Sequence, residues 1–133
     1  MNQIIIKGIK DLIEDANKTV KTISVKETKL LLNNIHYVFV DIRDYREVLK
    51  EGKIPNAFSC PRGMLEFWID PSSPYHKKIF NQKKTYIFYC ASAWRSALAV
   101  KTAMEMGLNP VYHIKGGFTE WVKQNGKVDR GSR

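Results

Sequence analysis

The stretch Tyr86-Ile87-Phe88-Tyr89-Cys90-Ala91-Ser92-Ala93-Trp94-Arg95-Ser96 decides how the rest of the chain is read. Four β-prone residues run into a cysteine, and a short polar loop follows. From Ala97 the apolar residues switch to helical spacing, through Leu98, Val100, Ala103 and Met104. A strand, a tight loop and a helix N-terminus in that order make a cradle for an anion, because loop amides and the positive helix end converge on one spot. The same field favours a thiolate, the reactive form of cysteine. Cys90 is therefore the candidate nucleophile, with Ala91, Ser92, Ala93, Trp94, Arg95 and Ser96 as its anion-binding loop.

Working outward, Tyr37-Val38-Phe39-Val40 is a second near-continuous apolar run, the pattern of a strand buried on both faces. It ends in Asp41-Ile42-Arg43. Polar residues at the C-terminal end of a parallel strand lie where sites form in α/β sheets, so Asp41 and Arg43 either support the site or form a local ion pair. Asp44 opens a helix that runs through Val48 and Leu49 and stops at Gly52. Ala57-Phe58-Ser59, Thr22-Ile23-Ser24-Val25 and Pro110 to Ile114 give three further short strands. Ser24 or Thr22 caps a helix with Leu30, Leu31 and Leu32 on its inner face, and Phe118 to Gln124 forms the last helix, with Phe118, Trp121 and Val122 inward. Alternating strands and helices predict an α/β domain with a central parallel sheet of about five strands and helices on both faces.

Residues 3–16 carry Ile5, Ile6, Ile9, Leu12, Ile13 and Ala16 at helical spacing, which predicts an amphipathic N-terminal helix within residues 1–20. The domain spans 21–126, and 127–133 reads as a loose tail. The excursion over 61–76 is long and proline-rich, and such loops often cover sites. Trp68 is the candidate pocket wall there, with Tyr75 and His76 beside it; the plainer reading is that Phe67 and Trp68 cover the core.

The chain of 133 residues is long enough to bury a core without disulfides, and it has two cysteines, Cys60 and Cys90. No apolar run approaches the length of a membrane span, and the start lacks a signal-peptide pattern. A lone reactive thiol suits a reducing compartment, so a cytoplasmic location is expected. Net charge is +9, yet the lysines are scattered and no basic block with interleaved aromatics occurs. Neither nucleic acid nor membrane is expected as a partner. Two cysteines and three scattered histidines (His36, His76, His113) show no metal-ligand spacing, and no cofactor is expected.

Four pieces in order resemble the single-domain rhodaneses, a thiosulfate sulfurtransferase family. They are Val40-Asp41-Ile42-Arg43 with Arg46-Glu47, Gly52-Lys53-Ile54-Pro55-Asn56-Ala57, the Cys90–Ser96 loop, and Lys115-Gly116-Gly117-Phe118-Thr119-Glu120-Trp121. The resemblance covers about 23–122 and implies a rhodanese-like fold. It also implies transfer of a sulfane sulfur from thiosulfate or a persulfide donor, through a Cys90 persulfide, to cyanide or a thiol, including a protein thiol. Asp41, Arg43 and Glu47 become supporting residues. Arg95 either binds the donor's oxyanion or pairs with Glu47 or Asp41, Trp94 walls the mouth, and the Ser92 and Ser96 hydroxyls donate further hydrogen bonds. Lys53, Asn56 and Ala93 depart from the usual His, Gly and Gly. If position 93 needs positive φ, alanine strains the loop by about 1 kcal/mol.

Two other readings stay open. A cysteine phosphatase or arsenate reductase of related architecture carries five residues between cysteine and arginine. Here four separate Cys90 from Arg95, a tighter ring that suits one sulfur atom better than a phosphate. A non-catalytic binding module would be expected to lack the nucleophile.

Overall fold

The computed structural model describes residues 2–131. Five strands form one all-parallel sheet: β1 (Lys21–Ile23), β2 (Tyr37–Asp41), β3 (Phe58–Ser59), β4 (Thr85–Tyr89) and β5 (Val111–Ile114), in the order β1-β5-β4-β2-β3. This is the expected α/β architecture. The helices are α1 (Ile9–Asn17), α2 (Val25–Lys29), α3 (Tyr45–Glu51), α4 (Leu65–Ile69), α5 (Trp94–Met106) and α6 (Gly117–Lys123).

Strand periodicity divides the interior into two layers. Val38 and Val40 of β2 and Tyr86 and Phe88 of β4 face a core shared with Leu65 of α4 and Ala99, Val100 and Ala103 of α5. Phe39, Ile87 and Tyr89 face the opposite core, with Val25, Ile114, Phe118 and Trp121. β2 and β4 pair in register from Tyr37–Thr85 to Asp41–Tyr89. The chain therefore leaves both central strands at the same edge, where Ile42 N bonds Tyr89 O at 3.0 Å.

Three expectations need correction. The N-terminal helix starts at Ile9, not near residue 3, and Ile4, Ile5 and Ile6 are exposed. A run of β-branched residues disfavours helix, and Gly8 supplies the turn, its amide held by Asp11 at 2.9 Å. Ser24 does cap α2, accepting from Glu27 N at 3.1 Å, but α2 ends at Lys29 and leaves Leu30 exposed. Val122, on the outer side of α6, is also exposed.

The expected loose tail is fastened over residues 127–130. Lys53 and Asp129 exchange backbone bonds at 2.9 and 2.8 Å, Trp121 Nε1 donates to Lys127 O at 2.8 Å, and Val128 packs on the second core. Pairing with Lys53, far away in sequence, leaves no local signal. Residues 132 and 133, like Met1, lie outside the described residues. α1 folds back on α5, burying Ile13 and Ala16. Among the described residues no helix is long and apolar enough to cross a membrane.

Candidate active site

Cys90 follows the last residue of β4 and has no exposed surface. Its Sγ accepts a hydrogen bond from Ser96 N at 3.2 Å. The backbone between them turns because Ala93 sits at φ +73°, ψ 3°, in the left-handed region. The positive φ that alanine would strain is thus present, at a cost of about 1 kcal/mol. The same demand appears at Asn56, φ +66°, where asparagine stands in for glycine because its short polar side chain tolerates this region.

Ala93 is also the residue before the first turn of α5, and it offers no side-chain cap. The first amides of any helix lack intrahelical partners. Here Ser, Thr, Asp or Asn is absent from the capping position, so no side chain takes them. Among the described residues, the amides of Ala91, Ser92, Ala93, Trp94 and Arg95 have no hydrogen-bond acceptor.

The loop's carbonyls are claimed from the other side. Phe118 N donates to Cys90 O at 2.8 Å and Thr119 N to Ala91 O at 3.0 Å. So close an approach of α6 requires Gly117, φ +64°: a Cβ there would lie 2.6 Å from Cys90 O and 2.7 Å from Ala91 O. The glycine pair of the closing motif thus lets one helix N-terminus hold the loop while another, that of α5, faces the sulfur.

Arg95 pairs with Glu47, NH1 to Oε2 at 2.8 Å and NH2 to Oε1 at 3.0 Å. The Arg95 guanidinium holds the Glu47 carboxyl below its ordinary range. Of the two roles open for Arg95, the pair with Glu47 is the one formed. Asp41 and Arg43 are a local ion pair, both fully buried. Arg43 NH2 reaches Asp41 Oδ2 at 2.8 Å and Gly52 O at 2.6 Å, and its guanidinium lies 4.2 Å from the Phe118 ring centre. They fasten α3 to the sheet on the layer opposite Cys90's core.

Trp68 is not among the residues lining the cleft beside the loop. Its ring packs 5.7 Å from Phe58, under Lys77. Trp94 does line that cleft and is half exposed. The cleft, about 670 Å³, runs from Ser92–Trp94 to Ile13 and Asn17 of α1 and to His113 and Lys115. α1 thus contributes to the wall. A second cleft, about 540 Å³, lies away from Cys90 between Lys29 and Trp121.

The residue that sequence reasoning missed is His113. It is buried on β5, its Nδ1 lies 2.8 Å from Ser96 Oγ, and its Nε2 lies 3.3 Å from Thr22 Oγ1. Burial pushes its pKa down to about 4. The Ser96 hydroxyl therefore meets His113, and it is the Ser96 amide that meets Cys90. Cys60 is buried as well, and desolvation pushes its thiol up to about 12.

A parallel α/β sheet with a cysteine at the C-terminal edge of its central strand, followed by a loop whose amides lack acceptors among the described residues, defines a class of α/β proteins with a cysteine-bearing strand–loop–helix. Residues 24–124 match the model of the rhodanese-like domain, and the chain belongs to that family. It is 31% identical over 109 residues to thiosulfate sulfurtransferase/rhodanese-like domain-containing protein 3 of Mus musculus, across 78% of this chain and 69% of that one. It is 24% identical over 123 residues to the tRNA uridine(34) hydroxylase of Photorhabdus laumondii, spanning 92% of this chain but only 34% of the hydroxylase. Among solved structures, a Rhodopseudomonas palustris protein of unknown function, a possible tyrosine phosphatase, superposes with a TM-score of 0.94 at 50% identity, covering 97% of this chain and 99% of that one. The thiosulfate sulfurtransferase of Pseudomonas aeruginosa shares the fold, with a TM-score of 0.77 at 20% identity over 93% of this chain and 23% of that one.

Proposed function

We propose that the protein is a sulfurtransferase that carries a sulfane sulfur on Cys90. The Cys90 thiolate attacks the outer sulfur of a small anionic donor such as thiosulfate. The donor's S–S bond breaks, sulfite leaves with the bonding pair, and Cys90 holds a persulfide. A nucleophilic acceptor, cyanide or a thiol, then takes the outer sulfur, and Cys90 departs as thiolate. The observation that carries this reading is the loop itself: Ser96 N lies on Cys90 Sγ at 3.2 Å, and five further amides are without acceptors among the described residues. Such donors, with the dipole of α5, hold negative charge on sulfur or persulfide alike.

The 50% identical neighbour supports a second reading, phosphate-ester hydrolysis. Two features favour sulfur. The ring is one residue shorter than the phosphatase pattern, and both terminal nitrogens of Arg95 are bonded to Glu47.

The deciding experiment is mass spectrometry after thiosulfate treatment. One added sulfur on Cys90, removed by cyanide and absent in Cys90→Ser, is expected. Sulfur on Cys60, or hydrolysis of p-nitrophenyl phosphate with no sulfur uptake, overturns the assignment.

A further inference from the structure

His113 is a buried polar group outside the four family motifs, and its surroundings allow its tautomer to be assigned. Thr22 of β1 lies directly opposite it in the β1–β5 pairing. β1 just precedes the residues that match the family model, so this partner lies outside the matched span although it belongs to the sheet. Ser96 is fully buried, and its hydroxyl has no other acceptor among the described residues. If Nδ1 carried the proton, the Ser96 hydroxyl hydrogen would be buried without a partner, at the full cost of its desolvation. If Nε2 carries it, Ser96 Oγ–H donates to Nδ1 and Nε2–H donates to Thr22 Oγ1. Thr22 is exposed and can spend its own hydrogen on water. Only the second arrangement satisfies every buried donor.

We propose that His113 is a positioning residue: as the Nε2–H tautomer braced by Thr22, it locks the Ser96 hydroxyl away from Cys90 and thereby fixes the Ser96 amide on the sulfur. The lock explains why Ser96, whose amide is part of the cradle, keeps its hydroxyl off the sulfur. It also ties the cleft wall to the nucleophile, since His113 lines the cleft beside Ser92–Trp94. The charged groups around the network are Arg95, paired with Glu47, near the sulfur and Glu27 and Lys115 on the cleft rim. The imidazole itself stays neutral near neutral pH, because burial keeps its pKa at about 4.

The test uses the full chain and two readouts. Nitrogen-15 NMR of the His113 ring is expected to show a protonated Nε2 and an unprotonated Nδ1, with the Nδ1 signal moving in Ser96→Ala. The second readout is the ultraviolet thiolate titration of Cys90, recorded as the difference from the matching Cys90→Ser protein. Its midpoint is expected to rise by about half a pH unit in His113→Leu, the scale of a weakened hydrogen bond to an anion. Ser96→Ala, which keeps the amide and deletes the lock, gives the same rise if His113→Leu does not fold. His113→Asn restores the midpoint, because its side-chain oxygen can accept from Ser96. A protonated Nδ1, or a midpoint that stays or falls in both folded variants, overturns the proposal. It rests on Cys90 as the nucleophile, but neither readout requires turnover. Absent sulfur uptake by the unmodified protein counts against the sulfurtransferase reading alone.

Discussion

The guanidinium of Arg95 and the carboxylate of Glu47 meet in a two-pronged pair, at 2.8 and 3.0 Å, that ties the first turn of α5 to the first turn of α3. Both side chains are about one third exposed or more, so the pair contributes less than about 1 kcal/mol to stability. Its larger effect is on shape. Glu47→Gln is expected to change the unfolding midpoint in urea only slightly while lowering sulfur-transfer turnover several-fold, as Arg95 loses its fixed orientation. The Glu47 carboxyl is held below its ordinary pKa. Its share of stability is therefore complete at neutral pH and disappears as pH falls through that lowered value. Turnover of Glu47→Gln equal to the unmodified protein would contradict this role.

Ala93 holds its left-handed conformation against the preference of its Cβ. Ala93→Gly is expected to stabilise the protein by about 1 kcal/mol and to keep sulfur transfer. Urea denaturation and thiosulfate kinetics check both. A destabilised Gly variant would mean that the methyl contributes more by packing than it costs in the backbone.

Gly117 and Gly107 make a matched pair. Both have positive φ, but a Cβ at Gly107 meets nothing within 4 Å, whereas one at Gly117 strikes the carbonyls of Cys90 and Ala91. Gly107→Ala should cost about 1 kcal/mol. Gly117→Ala should cost several-fold more and depress turnover in the protein that remains folded, because α6 can no longer seat on the loop. Equal losses for the two would sink the account of α6 as the clamp.

Arg43→Met leaves Asp41 charged, buried and without its counter-ion, and is expected to cost about 3–5 kcal/mol. Adding Asp41→Asn should recover part of that loss. Thermal unfolding of the two single variants and the double variant measures the coupling.

His113 titrates far below an ordinary imidazole because it is buried, at about 4 instead of 6.5. The unfolded chain takes up a proton in this window that the folded chain refuses. Stability therefore falls as pH drops from 6.5 towards 4, by up to about 3 kcal/mol. In His113→Asn this limb of the stability profile should flatten, while the Glu47 contribution, which is lost as pH falls below the ordinary carboxylate range, should persist.

Much of this was legible in the sequence. Tyr37–Val40 and Tyr86–Tyr89 are unbroken β-prone runs because both of their faces are buried, and such runs announce central parallel strands. The Cys90 loop was legible because strand, cysteine and helix follow one another in a few residues. The substitution of Ala93 for glycine marked the strained position in advance. Contacts between distant residues were not legible. His113 meets Ser96 and Thr22 only after β5 lies between α5 and β1, and Asp129 meets Lys53 only after the chain has closed. Ile5 and Ile6 show the opposite failure: their spacing suits a helix, but their branching and the Gly8 turn exclude them from it.

The two ends of the chain fasten different layers. α1 lies on α5, over the core that contains Cys90. Residues 127–130 reach Lys53 and Trp121, over the core of Tyr89 and Phe118. The protein thus has two covers with separate latches, and a local opening at one end need not disturb the other. Lifting the first removes one wall of the cleft. Lifting the second releases the packing beneath the clamp that holds the loop from behind.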